Sequence, residues 1–132
     1  MPSRLLFVCT GNTCRSPMAE ALAEARGLSA ESAGVAAQHG DGAAPYAVRA
    51  LQQARGLALS HTPQPIARLD LDRFDQIVAL DASVAQRLRT NYDLSREELV
   101  TWAIPDPYGG PLADYRYSLE QIEAALDQLL TE

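Results

Sequence analysis

A short apolar run followed at once by a small polar loop is the feature that most constrains the fold. The run is Leu5-Leu6-Phe7-Val8, and the loop reads Cys9-Thr10-Gly11-Asn12-Thr13-Cys14-Arg15-Ser16-Pro17. An apolar run of this length beside turn residues predicts a buried strand, and Ser-Pro is typical of a helix start. Strand, loop and helix in this order predict an α/β fold, with the loop at the carboxyl end of the first strand.

The loop has a thiol at its start and a guanidinium at its end. Five residues separate Cys9 from Arg15, which is enough chain to curl around a tetrahedral oxyanion. Backbone N–H groups in such a loop and the N-terminus of the next helix favour an anion, and the same field stabilises a thiolate. We therefore predict that Cys9 is a nucleophile in a phosphate cradle and that Arg15 binds the phosphate. The spacing alone leaves a buried thiol and a surface arginine as the alternative.

Two segments carry a resemblance to a known family. Residues 8–20 resemble the active-site loop of the low-molecular-weight protein tyrosine phosphatases, in which Cys, five residues and Arg precede Ser or Thr. A distant segment reads Ile104-Pro105-Asp106-Pro107-Tyr108-Gly109-Gly110 and resembles the family's Asp-Pro-Tyr loop. By itself this segment would be interpreted as a turn. The resemblance implies that Cys9 attacks phosphorus, Arg15 binds the equatorial oxygens, and Asp106 serves as general acid and then general base. It also implies a phosphocysteine intermediate without metal or other cofactor.

The resemblance assigns roles to the rest of the loop. Its phosphate-binding residues are Thr10, Gly11, Asn12, Thr13, Cys14 and Ser16. Ser16 is expected to donate a hydrogen bond to the Cys9 sulfur, and an N-cap before Pro17 at the first helical position is its other interpretation. Cys14 matches a second thiol that can trap oxidised Cys9 as a disulfide, with an inert buried thiol as the alternative.

Supporting residues are implied around Asn12. This residue matches a family Asn that holds a strained loop geometry, and Asn tolerates left-handed backbone better than most residues. Ser32 and His61 match the positions that hydrogen-bond this Asn in the family. A Ser or a His is, however, as often simply a satisfied polar group.

Strand-like and helix-like segments alternate along the chain, which predicts a parallel sheet covered by helices. We predict strands at 4–9, 31–35, 74–80 and 98–103, and helices at 17–26, 45–55 and 82–88. A last helix follows, in which Ser118 and Gln121 resemble a capping box. One apolar stripe of this helix consists of Leu119, Ile122, Leu126 and Leu129. The resemblance implies a four-stranded parallel sheet in a three-layer αβα arrangement, forming a single phosphatase domain over 1–132.

Composition and charge limit the kinds of binding partner and the compartment that we expect. The 132 residues carry a net charge of −6, with 11 basic residues that are all Arg and no basic run, so nucleic acid and anionic membranes are not expected partners. The short N-terminal apolar stretch does not resemble a signal peptide, and no run approaches a membrane span. Thiolate chemistry requires a reducing compartment. We expect a cytoplasmic protein that acts on phosphorylated proteins; the sequence gives no indication of oligomeric state.

Departures from the family pattern bear on the substrate. Gln38 and His39 stand where relatives often place a large aromatic residue, which leaves Tyr108 as the main ring for stacking on phosphotyrosine. Thr13 stands where tyrosine-directed relatives usually have Ile or Leu, and its hydroxyl suits a polar guanidinium. The loop also resembles that of the protein-arginine phosphatase branch. We predict phosphotyrosine as the substrate, with phosphoarginine as a close alternative.

Other function classes are less favoured. Arsenate reductases with this fold use two further cysteines near the middle of the chain, and residues 77–86 contain none. A non-catalytic phosphoprotein-binding module would be expected to lose Cys9 or Asp106, and both are present. A metal site is the weakest alternative, because the spacing of Cys9 and Cys14 fits the anion loop better than a zinc knuckle.

Overall fold

The computed structural model describes residues 4–37 and 42–131. Its strands are β1 (Arg4–Cys9), β2 (Ser29–Gly34), β3 (Gln76–Ala79) and β4 (Leu99–Thr101), and its helices are α1 (Arg15–Ala25), α2 (Pro45–Arg55), α3 (Ala82–Asn91) and α4 (Leu112–Thr131). The strands form one parallel sheet in the order β2-β1-β3-β4. The predicted four-stranded parallel sheet is confirmed.

The central strand β1 is buried on both faces. Leu5 and Phe7 pack with the helices α1, α2 and α4, whereas Leu6 and Val8 pack with α3. Because successive side chains of a strand point to opposite faces, a strand between two helix layers must be apolar at every position. This explains the continuous apolar run of β1 and gives the three-layer αβα arrangement.

Four of the predicted element starts are wrong. Strand β2 begins at Ser29 instead of 31, and β4 begins at Leu99 instead of 98. The other two are the starts of β3 and α1. Phe74 precedes β3 and ends a short 3-10 helix (Leu71–Arg73), with its N–H donating to Leu71 O at 3.2 Å. Its ring is buried beneath the guanidinium groups of Arg4 and Arg73, so packing rather than strand pairing accounts for its apolar character. Helix α1 begins at Arg15, with Cys14 as the N-cap residue. Ser16 is therefore inside the first turn and is not an N-cap.

The predicted capping box at Ser118 and Gln121 is also wrong. Helix α4 already begins at Leu112, and Ser118 lies in its interior with no exposed surface. The Ser118 hydroxyl donates to the backbone oxygen of Pro105 at 2.8 Å, so it serves a tertiary contact instead of a helix end. The apolar stripe that the sequence predicts in this helix is buried as expected. Among the described residues, no helix combines the length and apolarity needed to cross a membrane.

The carboxyl ends of all four strands meet at one edge of the sheet, because the strands are parallel. Cys9 and Gly34 pair at the ends of β1 and β2, and Ala79 and Thr101 pair at the ends of β3 and β4. The segments that follow these strands carry most of the polar residues predicted for the site. This edge is the usual place for a ligand in an open α/β sheet.

Candidate active site

The loop between β1 and α1 holds a thiol and a guanidinium in buried positions. Cys9 is the last residue of β1, Arg15 is the first residue of α1, and their exposed fractions are 3% and 2%. The carbonyl groups of Cys9, Thr10 and Thr13 accept hydrogen bonds from the N–H groups of Val35, Ala36 and Ala44 at 2.8–3.0 Å. In a trans peptide group the N–H points opposite to the carbonyl. The N–H groups that follow these three carbonyl groups therefore face the other side of the loop. Such a loop has the chemistry to bind an oxyanion.

Ser16 links the thiol to the rest of the loop. Its Oγ lies 2.9 Å from Cys9 Sγ and accepts a hydrogen bond from Asn12 Nδ2 at 2.8 Å. Because Asn12 donates to the Ser16 oxygen, the Ser16 hydroxyl proton remains available to donate to the Cys9 sulfur. All three residues are buried, which makes each hydrogen bond costly to leave unmade. The arrangement suits a sulfur that carries negative charge.

Asn12 has the left-handed backbone conformation that the resemblance implies, with φ at 58°. Its Nδ2 also donates to Ser32 Oγ at 3.0 Å, and its backbone oxygen lies 2.8 Å from His61 Nε2. Its Oδ1 accepts from the Gln64 N–H at 2.9 Å. Two segments that are distant in sequence, at Ser32 and at 61–64, thus hold one strained residue, and positive φ in a non-glycine residue needs such support.

Burial shifts the pKa values of His61 and Glu20, which bond to Asn12 and Ser32. Burial lowers the pKa of His61, against the opposing effect of its hydrogen bond with Asn12, so the imidazole is neutral near pH 7 and can donate one Nε2 proton to the loop. Glu20 accepts from Ser32 Oγ at 2.5 Å. Burial raises the pKa of Glu20, although the Ser32 hydrogen bond opposes that shift.

Arg15 faces three oxygen atoms in the segments that follow β3 and β4. Its Nη1 donates to Asp81 Oδ2 at 2.8 Å and to Ile104 O at 2.9 Å, and its Nη2 lies 3.8 Å from Asp106 Oδ2. Burial disfavours ionised Asp81, but hydrogen bonds from Val84 N–H and Arg15 outweigh it, and the pKa of Asp81 lies below its ordinary value. Asp81 is therefore a carboxylate that neutralises and orients the buried guanidinium.

Asp106 and Tyr108 are exposed and lie in the segment between β4 and α4. The Asp106 side chain is 51% exposed, and Asp106 Oδ1 accepts from the Tyr108 N–H at 3.1 Å. Tyr108 is 76% exposed, more than the exposed rings of Tyr46 and Tyr117. Its ring is available to another molecule. Gln38 and His39, predicted for the substrate pocket, lie outside the described residues.

Cys14 is buried in the core and contacts two other side chains. Its thiol donates to Tyr115 Oη at 3.7 Å and lies 3.6 Å from Thr13 Oγ1. Burial raises the pKa of Cys14, against the opposing hydrogen bonds with Thr13 and Tyr115. Both cysteines are free thiols. A disulfide between them stays a prediction, and the raised pKa makes Cys14 a slow attacking thiol at neutral pH.

Sequence reasoning missed four residues that contact the site: Glu20, Gln64, Asp81 and Tyr115. Asp81 had a readable signal, since a carboxylate directly after a buried strand lies at the ligand-binding edge of a parallel sheet. Gln64 had none, because its backbone N–H makes the contact with Asn12 and any residue except proline has one. Among the described residues, no group of three or more His, Cys, Asp or Glu side chains is placed to hold a metal ion.

Gly34 provides the room that the loop needs. A Cβ at this position would lie 2.6 Å from Thr10 O and 3.1 Å from the Asn12 Cβ. We expect Gly34→Ala to lower the free energy of unfolding by about 1–3 kcal/mol, the usual cost of overpacking, and to weaken phosphate binding by displacing the loop. Urea unfolding and phosphate titration measure the two effects.

The comparison variant is Gly11→Ala, since a Cβ there would meet only Thr13 Oγ1 at an ordinary 3.6 Å. Its unfolding free energy is expected to fall by less than that of Gly34→Ala. Equal destabilisation of the two variants would contradict this explanation of Gly34.

The fold and loop define an α/β protein with a buried cysteine and arginine in the loop at the carboxyl edge of its sheet. The sequence profile of the family described as low molecular weight phosphotyrosine protein phosphatase matches residues 4–132. A low molecular weight protein-tyrosine-phosphatase of Streptomyces coelicolor is 37% identical, over 98% of this chain and 93% of that protein. The chain belongs to the low-molecular-weight phosphotyrosine protein phosphatase family.

Solved structures agree with this family. A low molecular weight protein tyrosine phosphatase from T. tengcongensis has a TM-score of 0.88 at 35% identity, with 97% of each chain covered. An arginine phosphatase from Geobacillus stearothermophilus has a TM-score of 0.86 at 32% identity, covering 97% of this chain and 90% of that chain. Both branches that the loop resembles are therefore among its structural relatives.

Proposed function

We propose that this protein hydrolyses phosphotyrosine in phosphorylated proteins through a phosphocysteine intermediate on Cys9. The observation that carries the proposal is the placement of three groups at one edge of the sheet. Cys9 Sγ lies 2.9 Å from the Ser16 hydroxyl. The buried Arg15, at the end of the same loop, has its Nη2 3.8 Å from the Asp106 carboxylate. A nucleophile, an oxyanion ligand and a proton donor are the parts that metal-free phosphoryl transfer requires.

The first step forms the phosphocysteine. The Cys9 thiolate attacks phosphorus in line, the S–P bond forms, and the bond from phosphorus to the phenolic oxygen breaks. Arg15 and the loop N–H groups bind the equatorial oxygens, whose charge spreads in the transition state. Asp106 gives its proton to the departing oxygen, so the product leaves as neutral tyrosine.

The second step restores the enzyme. Asp106, now a carboxylate, takes a proton from a water molecule, and the water oxygen attacks phosphorus as the S–P bond breaks. Inorganic phosphate leaves, and the electron pair returns to Cys9 as a thiolate. The Ser16 hydroxyl stabilises that thiolate, and Asp81 keeps Arg15 oriented through both steps.

Phosphotyrosine is supported by the exposed ring of Tyr108, two residues after Asp106 and open to stacking. The similarity to protein-tyrosine-phosphatases, including the Streptomyces coelicolor protein, supports it as well. Since a thiolate nucleophile needs reducing conditions, we place the protein in the cytoplasm.

Phosphoarginine is the second candidate, and Thr13 is the observation that favours it. The Thr13 side chain is only partly buried, and it offers a hydroxyl where an aliphatic residue would pack against an aromatic substrate. The similarity to arginine phosphatases agrees with this candidate. In that reaction the P–N bond breaks, and Asp106 protonates the departing guanidinium nitrogen.

The deciding experiment compares kcat/KM of the reduced protein on matched phosphotyrosine and phosphoarginine peptides without added metal. An excess on phosphotyrosine supports the first candidate, and an excess on phosphoarginine supports the second. Absence of turnover on both peptides would contradict the proposed function.

Thr13→Ile tests the pocket directly. An aliphatic side chain removes the hydroxyl and adds apolar surface for a substrate ring, so the ratio of kcat/KM for phosphotyrosine over phosphoarginine should rise by about tenfold, the equivalent of one hydrogen bond or about two buried methylenes. Thr90→Val is the control, because Thr90 is an exposed residue near the end of α3 and should leave the ratio unchanged. An unchanged ratio in Thr13→Ile would show that Thr13 does not determine specificity.

A further inference from the structure

We propose that Ser118 is a positioning residue that places the general acid Asp106, an inference that rests on the proposed function. Ser118 lies in the middle of α4, and its Oγ donates to the carbonyl oxygen of Pro105 at 2.8 Å. Pro105 directly precedes Asp106, so this hydrogen bond fixes the peptide group that carries the acid.

Asp106 has little to hold its own side chain. Its carboxylate is 51% exposed, 3.8 Å from Arg15 Nη2, and otherwise accepts from the Tyr108 N–H within its own turn. Its location is therefore set by the backbone on either side of it. Ile104 fixes the preceding backbone, since its N–H donates to Leu80 O and its carbonyl accepts from Arg15, both at 2.9 Å.

Helix α4 also contacts the phosphate loop. Tyr115 lies three residues before Ser118, on the same face of the helix, and it is buried. Burial raises the pKa of the Tyr115 hydroxyl, and the backbone of Gly109 opposes this rise. The same hydroxyl accepts from Cys14 of the phosphate loop. One face of α4 thus bonds to the acid-bearing loop through Ser118 and to the phosphate loop through Tyr115.

The direction of the Ser118 hydrogen bond is unusual for a serine inside a helix. A helical serine commonly bonds to a carbonyl of its own preceding turn, where it adds nothing to tertiary structure. Ser118 donates across to another segment, and it has no exposed surface. A purely structural role would lower stability and slow all substrates alike. A positioning role affects only those substrates that need the acid.

The experiment measures kcat/KM on aryl phosphates that range from activated to poor leaving groups. We expect Ser118→Ala to lose about three- to tenfold on the poorest leaving group, the equivalent of one net hydrogen bond, and less than about twofold on the most activated one. Ser118→Thr keeps a hydroxyl and should restore the wild-type dependence. Ser118→Val matches Thr in shape without the hydroxyl, and it should behave as Ser118→Ala.

Thermal unfolding of each variant separates stability from positioning. The control is Thr90→Ala, which removes a hydroxyl bonded to Gln86 O within the exposed part of α3 and should leave the leaving-group dependence unchanged. A uniform loss across the series in Ser118→Ala, or identical dependence in the Thr and Val variants, would overturn the positioning role. Failure of the proposed function would look different, because the wild-type protein itself would then lack phosphatase turnover.

Discussion

Replacing Cys9 by serine is expected to abolish turnover while the loop still binds an oxyanion. The hydroxyl of serine fits the same position, but an alkoxide forms far less readily than a thiolate and is a poorer leaving group from phosphorus. We expect kcat on an aryl phosphate to fall by roughly 10⁴-fold or more, the usual scale for loss of a nucleophile. Arg15 keeps its contacts with Asp81 and Ile104, so phosphate or tungstate should still bind.

Steady-state kinetics and oxyanion titration of the Cys9→Ser protein give the two measurements. Cys14→Ser is the matched control. Cys14 contacts Tyr115 and Thr13, whereas Ser16 contacts the sulfur of Cys9. We expect that control to keep kcat within about tenfold of the wild type, because the serine hydroxyl can still donate to Tyr115 in place of the weak thiol donor. Wild-type turnover in Cys9→Ser would refute the assignment of the nucleophile.

The second large effect is expected from Asp106→Asn. The amide has nearly the same shape and can still accept the Tyr108 N–H, but it has no proton to give at neutral pH. General acid catalysis typically contributes 10²–10⁴-fold, so turnover of a poor leaving group should fall by about 10²-fold or more. An activated aryl phosphate needs little protonation and should lose far less. The buried Arg15 remains paired with Asp81.

The measurement is the ratio of kcat/KM for a poor over an activated leaving group. Asp114→Asn provides a control, because it removes a nearby carboxylate in the first turn of α4 and should leave that ratio within about twofold of the wild type. An unchanged ratio in Asp106→Asn would show that another group supplies the proton. Ser118→Ala is expected to shift the ratio in the same direction, by a smaller factor.

The local part of the site could be predicted because its signals are local. The apolar run of β1, the loop from Cys9 to Arg15 and the start of a helix lie within about twenty residues, where periodicity and turn chemistry act. The number of strands and their parallel arrangement followed from the alternation of apolar segments with helices and from the family resemblance. The bounds were less accurate, as Phe74 illustrates: its burial comes from packing outside the strand.

The remaining contacts depend on segments that the sequence does not bring together. Asp81 reaches Arg15 across 66 positions, and Gln64 reaches Asn12 across 52. Ser118 was interpreted as a helix cap because its spacing to Gln121 fits that pattern. Only the packing of α4 against the acid-bearing loop shows that its hydroxyl serves Pro105.

The sequence by itself thus determined the α/β class, the loop with its thiol and guanidinium, and the segment that carries Asp106. These features are encoded by neighbouring residues. The tertiary structure decided the strand order β2-β1-β3-β4, the partners that hold Asn12 and Arg15, and the anchoring of the acid-bearing loop by α4. The physical reason is that such contacts arise where strand ends and helix faces meet, and strand pairing and packing alone determine which distant residues meet there.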